Sequence, residues 1–237
     1  MSLSVSDIQC YYGRVQVLKG VSLSVPAGAI VALLGRNGAG KTTTLKAIMG
    51  LAACRSGAIR LDSEELTHRA PHLIPRLGVG YVPQGRRLFP EMSVAENLRM
   101  GLLAGKNNPE VLDRVLELFP VLRERLGQTA GTLSGGEQQM LAMGRALCLE
   151  PKVLLLDEPC EGLQPSYVQK VLDTIALLKT QGVAVLLVEQ KVDAALSIAD
   201  RVSFLENGAL VHEAAAAEVA GARELLERYV GVRRSPR

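Results

Sequence analysis

The chain of 237 residues has no tryptophan and only four cysteines, and the spacing of those cysteines argues against two kinds of site. Zinc sites of the common kind need closely spaced cysteine pairs, and small secreted domains use dense disulfide frameworks. The cysteines show no paired spacing and the histidines lie near no cysteine pair, so we expect four free thiols in a reduced, intracellular protein. The residues concerned are Cys10, Cys54, Cys148, Cys160, His68, His72 and His212.

Long apolar runs are missing as well. A helix that crosses a membrane needs about 18 consecutive apolar residues, and the chain has no uncharged run of that length. The first residues, MSLSVSDIQCYYG, have neither the basic start nor the apolar core of a secretory signal. If the protein works at a membrane, we expect another subunit to hold it there.

A strong excess of charge of one sign is also absent. The net charge of +3 is small and its cationic residues are dispersed, which does not indicate a nucleic-acid surface. With 48% hydrophobic and 22% charged residues, and without repeats or low-complexity tracts, the composition is that of a globular chain with one domain or two small ones.

Four short apolar runs, AIVALLG, VGYVP, KVLLLD and VAVLLVE, alternate with amphipathic helical stretches. This alternation predicts parallel strands joined by crossover helices, and therefore an α/β domain.

Three helix starts are predicted by residues with capping properties. SVAE and SGGE have the capping-box spacing, and an asparagine followed by a proline opens PEVLDRVLELF. In the last helix we expect one apolar face to pack on the core. The capping residues are Ser93 with Glu96, Ser134 with Glu137, and Asn108 with Pro109, and the apolar face is Val111, Val115, Leu118 and Leu122.

The stretch ALLGRNGAGKTTTLKAIMG carries the strongest chemical signal. It has the phosphate-binding spacing G-x-x-x-x-G-K-[ST] between an apolar strand and a helix. Its glycines let backbone amides approach the β- and γ-phosphates, Lys41 neutralises their charge, and the Thr42 hydroxyl can bind Mg²⁺. The nucleotide-binding residues predicted here are Gly35, Arg36, Asn37, Gly38, Ala39, Gly40, Lys41, Thr42 and Thr43.

An acidic pair follows the strand KVLLLD. Asp157 ends this strand, where it can hold Mg²⁺ through a water molecule, and Glu158 is the candidate to polarise the attacking water. We expect this strand to end side by side with the strand that precedes the phosphate loop, at the carboxyl edge of a parallel sheet.

GRNGAGKT, YVPQG, LSGGEQQ and VLLLDEP occur in an order and spacing that resemble the nucleotide-binding domain of ABC transporters over nearly the whole chain. The resemblance implies a P-loop ATPase with a mainly parallel sheet, an N-terminal antiparallel β part and a small helical subdomain. It implies one domain over 1–237, with a catalytic core at 1–84 and 133–237, helices at 85–132 and a basic tail at 229–237. The ligands implied are ATP and Mg²⁺.

In that family two such domains face head to tail, and the LSGGE segment of one covers the γ-phosphate held by the other. The resemblance therefore implies that Ser134, Gly135, Gly136 and Glu137 bind nucleotide on a facing subunit. It also implies that Tyr12 stacks on adenine, with Tyr11 as the competing candidate. Gln84 matches the residue that senses Mg²⁺ and the γ-phosphate.

Two positions depart from the family pattern. Gln190 stands where most members place a histidine on the γ-phosphate, and Gln164 stands where the loop usually has an aspartate. An amide can donate a hydrogen bond but cannot carry the positive charge of a protonated imidazole, so we expect weaker stabilisation of the transition state. The catalytic residues predicted are Glu158, Gln190 and Lys41.

DEPCEGLQPS, LLVEQ and YVPQGRRLFPEMSVAENL resemble one ATPase subunit of importers for branched-chain amino acids, whose relatives carry urea or short amides. This implies a second ATPase subunit, identical or different, two transmembrane permeases and indirectly a solute-binding protein, without nucleic acid. It implies a peripheral position at the cytoplasmic face of the inner membrane.

The apolar residues of RRLFPEMSV fit either a permease-docking surface or the core. These residues are Leu88, Phe89, Pro90 and Met92. Other members of the same ATPase family move aromatic acids or export lipids, and some are soluble non-transport proteins. A soluble repair or translation protein should carry a coiled-coil insertion or tandem domains, and a small-molecule kinase would not need LSGGE.

Overall fold

The computed structural model describes residues 2–105 and 108–231 of the chain. The predicted basic tail at 229–237 therefore lies mostly outside the described residues. Within them, no helix is both long enough and apolar enough to cross a membrane.

The N-terminal part forms an antiparallel sheet in the order β2-β1-β4-β5. Its strands are β1 (Ser2–Tyr12), β2 (Val15–Pro26), β4 (Cys54–Leu61) and β5 (Glu64–Glu65). This agrees with the predicted N-terminal antiparallel part.

The second sheet has six strands in the order β10-β9-β3-β8-β7-β6 and is parallel except where β10 joins its edge. The four predicted apolar runs are all strands of this sheet, which confirms the α/β fold. The strands are β3 (Ile30–Leu34), β6 (Val79–Val82), β7 (Val153–Asp157), β8 (Ala184–Val188), β9 (Arg201–Glu206) and β10 (Ala209–Ala215).

The expectation that the phosphate-loop strand and the acidic strand lie side by side is wrong. β8 is inserted between β3 and β7, and each of these two strands pairs with β8 in parallel register. Both strands still end at the same edge of the sheet, so their following loops can meet across the end of β8.

Most of the helices cover one face of the parallel sheet, and the antiparallel sheet covers the other face together with the helix Lys41–Ile48, whose Leu45 and Ile48 pack in the core between the two sheets. The helices are α1 (Lys41–Ile48), α2 (Val94–Ala104), α3 (Pro109–Leu118), α4 (Pro120–Glu124), α5 (Gly135–Leu147), α6 (Pro165–Thr180), α7 (Val192–Ile198), α8 (Ala216–Gly221) and α9 (Arg223–Tyr229). Two 3₁₀ helices lie at Pro75–Leu77 and Ala130–Thr132.

The central strands β3, β7 and β8 are buried along their whole length. Alternate residues face different layers, as Ile30 and Ala32 pack with the helices while Val31 and Leu33 pack towards the N-terminal sheet. Burial on both faces explains why these strands are continuous apolar runs in the sequence.

The predicted helix starts are confirmed. Ser93 and Glu96 form a complete capping box on α2, Ser134 and Glu137 form another on α5, and the Asn108 side chain caps α3. The single helix predicted to carry Leu122 is in fact two helices. The chain leaves helical geometry at Phe119, and Pro120 opens α4, so Leu122 packs on the same core from a separate helix.

Candidate functional site

The predicted phosphate loop connects the end of β3 to the first residue of α1, Lys41. Gly40 is the N-cap of this helix with φ of 112°, and no side chain caps the helix. A side chain at Gly40 would place its Cβ 2.8 Å from a Leu18 methyl group, so only glycine fits this backbone. The first N–H groups of α1 are therefore not used by a cap and are available to an anion.

Lys41 lies beneath this loop and is 6% exposed. Its Nζ donates to the carbonyl oxygens of Gly35 at 2.8 Å and Arg36 at 3.1 Å. Burial lowers the pKa of Lys41, although the nearby charges of Glu158 and Asp157 oppose this effect. A desolvated ammonium group that is held only by neutral carbonyls is well suited to donate hydrogen bonds to phosphate oxygens.

Asp157 ends β7 and is almost completely buried. The Thr42 hydroxyl of α1 donates to the Asp157 Oδ1 at 3.1 Å. This hydrogen bond connects the start of α1, which follows β3, with the end of β7, although β8 lies between the two strands. Burial raises the pKa of Asp157, the hydrogen bond from Thr42 opposes the rise, and the charge of Glu158 adds to it. A hydroxyl and a carboxylate are oxygen ligands that Mg²⁺ prefers, and a cation beside this buried carboxylate would stabilise its charged form.

Glu158 follows directly and stands between two amides. Gln190 Nε2 lies 2.8 Å from both carboxylate oxygens of Glu158. Gln84 Nε2 donates to Glu158 at 3.3 Å and to Glu161 at 3.0 Å. The structure thus brings together three predicted residues from the ends of three neighbouring strands, β6, β7 and β8.

Glu189 is a residue that the sequence analysis missed. It is 2% exposed, and its carboxylate accepts the N–H groups of Cys160 at 3.2 Å, Gln190 at 2.9 Å and Lys191 at 3.1 Å. It therefore joins the loop after β7 to the loop after β8 and fixes Gln190 relative to Glu158. The signal was present in LLVEQK, since an acid directly after a buried strand had already identified Asp157.

Most of these groups line one open cleft of about 370 Å³, whereas the buried Asp157 and Glu189 are not among its lining residues. Its walls come from the phosphate loop, the start of α1 and the ends of β6, β7 and β8. The residues that line it are Val17, Asn37, Gly38, Gly40, Lys41, Thr42, Thr43, Gln84, Glu158 and Gln190. Of the remaining predicted loop residues, Arg36 is exposed and Ala39 is buried.

Tyr12 does not line the cleft but stands at the end of β1 with its side chain 49% exposed. The neighbouring Tyr11 ring is covered by the Arg55 guanidinium at 4.0 Å, and the same guanidinium donates to the carbonyl of Gly13 at 3.0 Å. Of the two tyrosines, Tyr12 is thus the one with a ring open to a ligand.

The segment Ser134–Glu137 also lies outside the cleft of its own chain. Ser134 caps α5 and accepts the N–H of Glu137, while the Glu137 carboxylate accepts the N–H of Ser134 at 2.8 Å. Arg125 forms an ion pair with Glu137 at 3.0 Å. Burial of Glu137 would raise its pKa, but the hydrogen bonds from Ser134 and the charge of Arg125 lower it overall.

Comparisons with known proteins agree on one group. The family described as "ABC transporter" matches residues 18–161. The branched-chain amino acid transport ATP-binding protein BraG of Pseudomonas aeruginosa is 49% identical over 91% of this chain and 94% of its own length. The protein named probable branched-chain amino acid transport ATP-binding protein LivF, from Archaeoglobus fulgidus, is 39% identical over 88% of this chain and 89% of its own length.

A solved structure supports the same grouping at the level of the fold. An ATP-binding cassette of an ABC transporter in its ADP conformation superposes with a TM-score of 0.86 and 27% identity. The match covers 98% of this chain and 100% of that one.

Proposed function

The chain belongs to the ABC transporter family, and we infer from that membership that it is the ATP-hydrolysing subunit of an importer for branched-chain amino acids. The observation that supports this most directly is the cleft, where Lys41 and Thr42 of the phosphate loop meet Glu158 and Gln190. The solute class is taken from BraG and LivF, both of which are named for branched-chain amino acid transport.

The proposed chemistry begins with the phosphate loop. The free N–H groups at the start of α1 and the Lys41 ammonium bind the β- and γ-phosphates of ATP. Thr42 and Asp157 would hold Mg²⁺, with Gln84 beside them. A bound Mg²⁺ neutralises part of the charge on the phosphates.

Glu158 then orients the attacking water and accepts its proton. The two amides that now hold its carboxylate, from Gln84 and Gln190, keep it at the mouth of the cleft. We propose that Gln190 donates a hydrogen bond to the γ-phosphate when ATP is bound. Lacking the charge of an imidazolium, it stabilises the transition state less than a histidine would.

We further propose that two ATPase chains pair head to tail, identical or different. In this arrangement Ser134, Gly135, Gly136 and Glu137 of one chain complete the nucleotide site of the other. Their position outside the cleft of their own chain supports this, because they contribute nothing to that cleft in a single chain. Tyr12 stacks on the adenine ring of the ATP that is bound by the phosphate loop of its own chain.

The proposed position is peripheral, on the cytoplasmic face of the inner membrane, where two permeases hold the chain and a solute-binding protein delivers the solute. Exposed apolar side chains support a docking surface beside α2. Phe89 is 43% exposed and Leu103 is 56% exposed, whereas Leu88 packs partly against the core.

We also propose that the chain is one domain with a catalytic core at 1–84 and 133–237 and a helical subdomain at 85–132.

The test is uptake of radiolabelled leucine by membrane vesicles that contain the chain with its permeases and binding protein. We expect ATP-driven uptake with the parent chain and none with Glu158→Gln, which leaves the complex assembled. Uptake that continues with Glu158→Gln would contradict the proposed role of this carboxylate. Hydrolysis without uptake of any branched-chain amino acid would contradict the solute class.

A further inference from the structure

Two of the four cysteines lie together in the N-terminal sheet, and neither lines the cleft. Cys10 on β1 and Cys54 on β4 are partners in the antiparallel register, and their Sγ atoms are 2.9 Å apart. Both cysteines are free thiols. They are separated by 44 positions in the sequence, so the fold alone creates the pair.

We propose that Cys10 and Cys54 form a dithiol modification site, which small-molecule disulfides such as glutathione disulfide oxidise to an intrachain disulfide. This inference does not depend on the proposed function, because it rests on the N-terminal sheet alone.

The backbone already has the geometry that the bond needs. Partner residues in an antiparallel pair have Cα atoms about 4.5–5.5 Å apart, and disulfides join Cα atoms about 4.4–6.8 Å apart. Neither strand has to move far to close the bond. The pairing of β1 with β4 runs from Leu3 to Cys10 with two register shifts, and after the second shift, between Gln9 and Cys10, Cys10 is paired with Cys54.

The two thiols differ in access and in acidity. Cys10 is 1% exposed and belongs to the core, whereas Cys54 is only partly buried. The hydrogen bond between the two thiols lowers the pKa of Cys54, although burial opposes this, and the same bond raises the pKa of Cys10. Cys54 is therefore the thiol that meets an external reagent first, as the thiolate.

The reaction balances in two exchanges. The Cys54 thiolate attacks one sulfur of glutathione disulfide, which forms a mixed disulfide on Cys54 and releases one glutathione thiolate. Cys10 then loses its proton to that thiolate or to water, attacks the Cys54 sulfur and releases the second glutathione. Two protein thiols are oxidised, and one glutathione disulfide is reduced to two glutathione molecules.

The other two cysteines provide an internal control. Cys148 and Cys160 are 2% and 0% exposed, and burial raises the pKa of each to about 12. Both lie in the helical core on the opposite face of the parallel sheet from Cys10. We expect neither to react while the protein is folded.

The experiment treats the folded chain with glutathione disulfide, blocks the remaining thiols after denaturation and maps the peptides by mass spectrometry. The parent chain should lose two thiols and yield one crosslinked peptide that joins Cys10 to Cys54, reversible by dithiothreitol. Cys10→Ala should instead retain a glutathione adduct on Cys54, because the second thiol is missing. Cys54→Ser should react at least about tenfold more slowly, since it lacks the exposed thiolate.

Three results would overturn the proposal. These are a parent chain that keeps all four thiols, a lasting glutathione adduct on Cys54 of the parent, and a crosslink that includes Cys148 or Cys160. The parent alone supplies all three measurements, so misfolding of a variant cannot hide the answer. The oxidised chain should also unfold at a higher temperature than the reduced one, because the bond restrains a long loop in the unfolded state.

Discussion

Two helices of this protein, α1 and α5, have glycines at their N-termini and are both expected to contact phosphate there. Their first turns are nevertheless capped differently. α1 has Gly40 as its N-cap, in a left-handed conformation and without any side-chain cap. α5 has Ser134 as its N-cap and a complete capping box with Glu137. The first leaves its amide donors for a ligand, and the second satisfies part of them within the chain.

This difference indicates how the work is divided between the two segments. The start of α1 has its cation, Lys41, and its acidic partners already in place within one chain. The start of α5 is stable without a ligand, and a side chain at Gly136 would meet the ring of Tyr167 at 2.2 Å. We infer that α1 binds ATP in a single chain, while α5 is a fixed surface that a second chain brings to the phosphate.

The largest effect should come from Lys41→Ala. It removes the cation that we propose binds the β- and γ-phosphates, and truncating one member of a buried charge pair costs about 2–5 kcal/mol or more. Tight binding of a fluorescent ATP analogue should be lost, while Lys19→Ala, at an exposed position of β2, should bind like the parent. Unchanged affinity in Lys41→Ala would contradict the role given to the α1 loop.

Glu158→Gln should bind ATP but lower its hydrolysis by about 10²–10⁴-fold, because the amide cannot accept a proton from water. Gel filtration with ATP should show a trapped dimer, in which the start of α5 reaches its phosphate. Glu161→Gln is the matched control, since Glu161 accepts a hydrogen bond from the same Gln84 amide. A Glu158→Gln chain that hydrolyses at the parent rate would transfer the catalytic role elsewhere.

Gln190→His should raise the turnover of the isolated chain by about tenfold, if one added hydrogen bond of roughly 1.4 kcal/mol is realised in the transition state. The parent chain alone should hydrolyse ATP slowly. Steady-state phosphate release at saturating Mg-ATP compares the two chains. A variant with normal folding and ATP affinity that is no faster than the parent would show that the missing histidine does not limit this site.

The smallest effect should come from Ser134→Ala, which removes the cap of α5 and should cost about 1 kcal/mol of unfolding free energy. Ser93→Ala removes the same kind of cap from α2 and should cost a similar amount. Only Ser134→Ala should weaken the ATP-dependent dimer of the Glu158→Gln chain, and neither should change ATP affinity in the single chain. If both variants dimerise equally well, Ser134 does not contribute to the interface between the two chains.

The sequence was sufficient to predict the fold class, because strands buried on both faces leave continuous apolar runs and capping residues mark helix starts. The strand, glycine-rich loop and helix around Lys41 were also predictable, because the spacing of glycines, lysine and threonine is local in the chain. The order of the strands was not predictable, because neither KVLLLD nor AIVALLG contains a signal that β8 lies between the two strands they form. The position of Glu189 directly after a buried strand was visible in the sequence, but its role was not, because its partners, the N–H groups of two loops, come together only in the folded chain.

The most direct test of the paired site mixes two defective chains. Both carry Glu158→Gln to prevent hydrolysis, one also carries Lys41→Ala, and the other also carries Ser134→Arg. Each chain alone should remain monomeric with ATP. In a homodimer of the first chain both sites lack Lys41, and in a homodimer of the second chain both sites lack the α5 surface. The mixture should form dimers with one ATP for two chains, since one intact loop then meets one intact α5 start. A mixture that stays monomeric while Glu158→Gln alone dimerises would contradict the account.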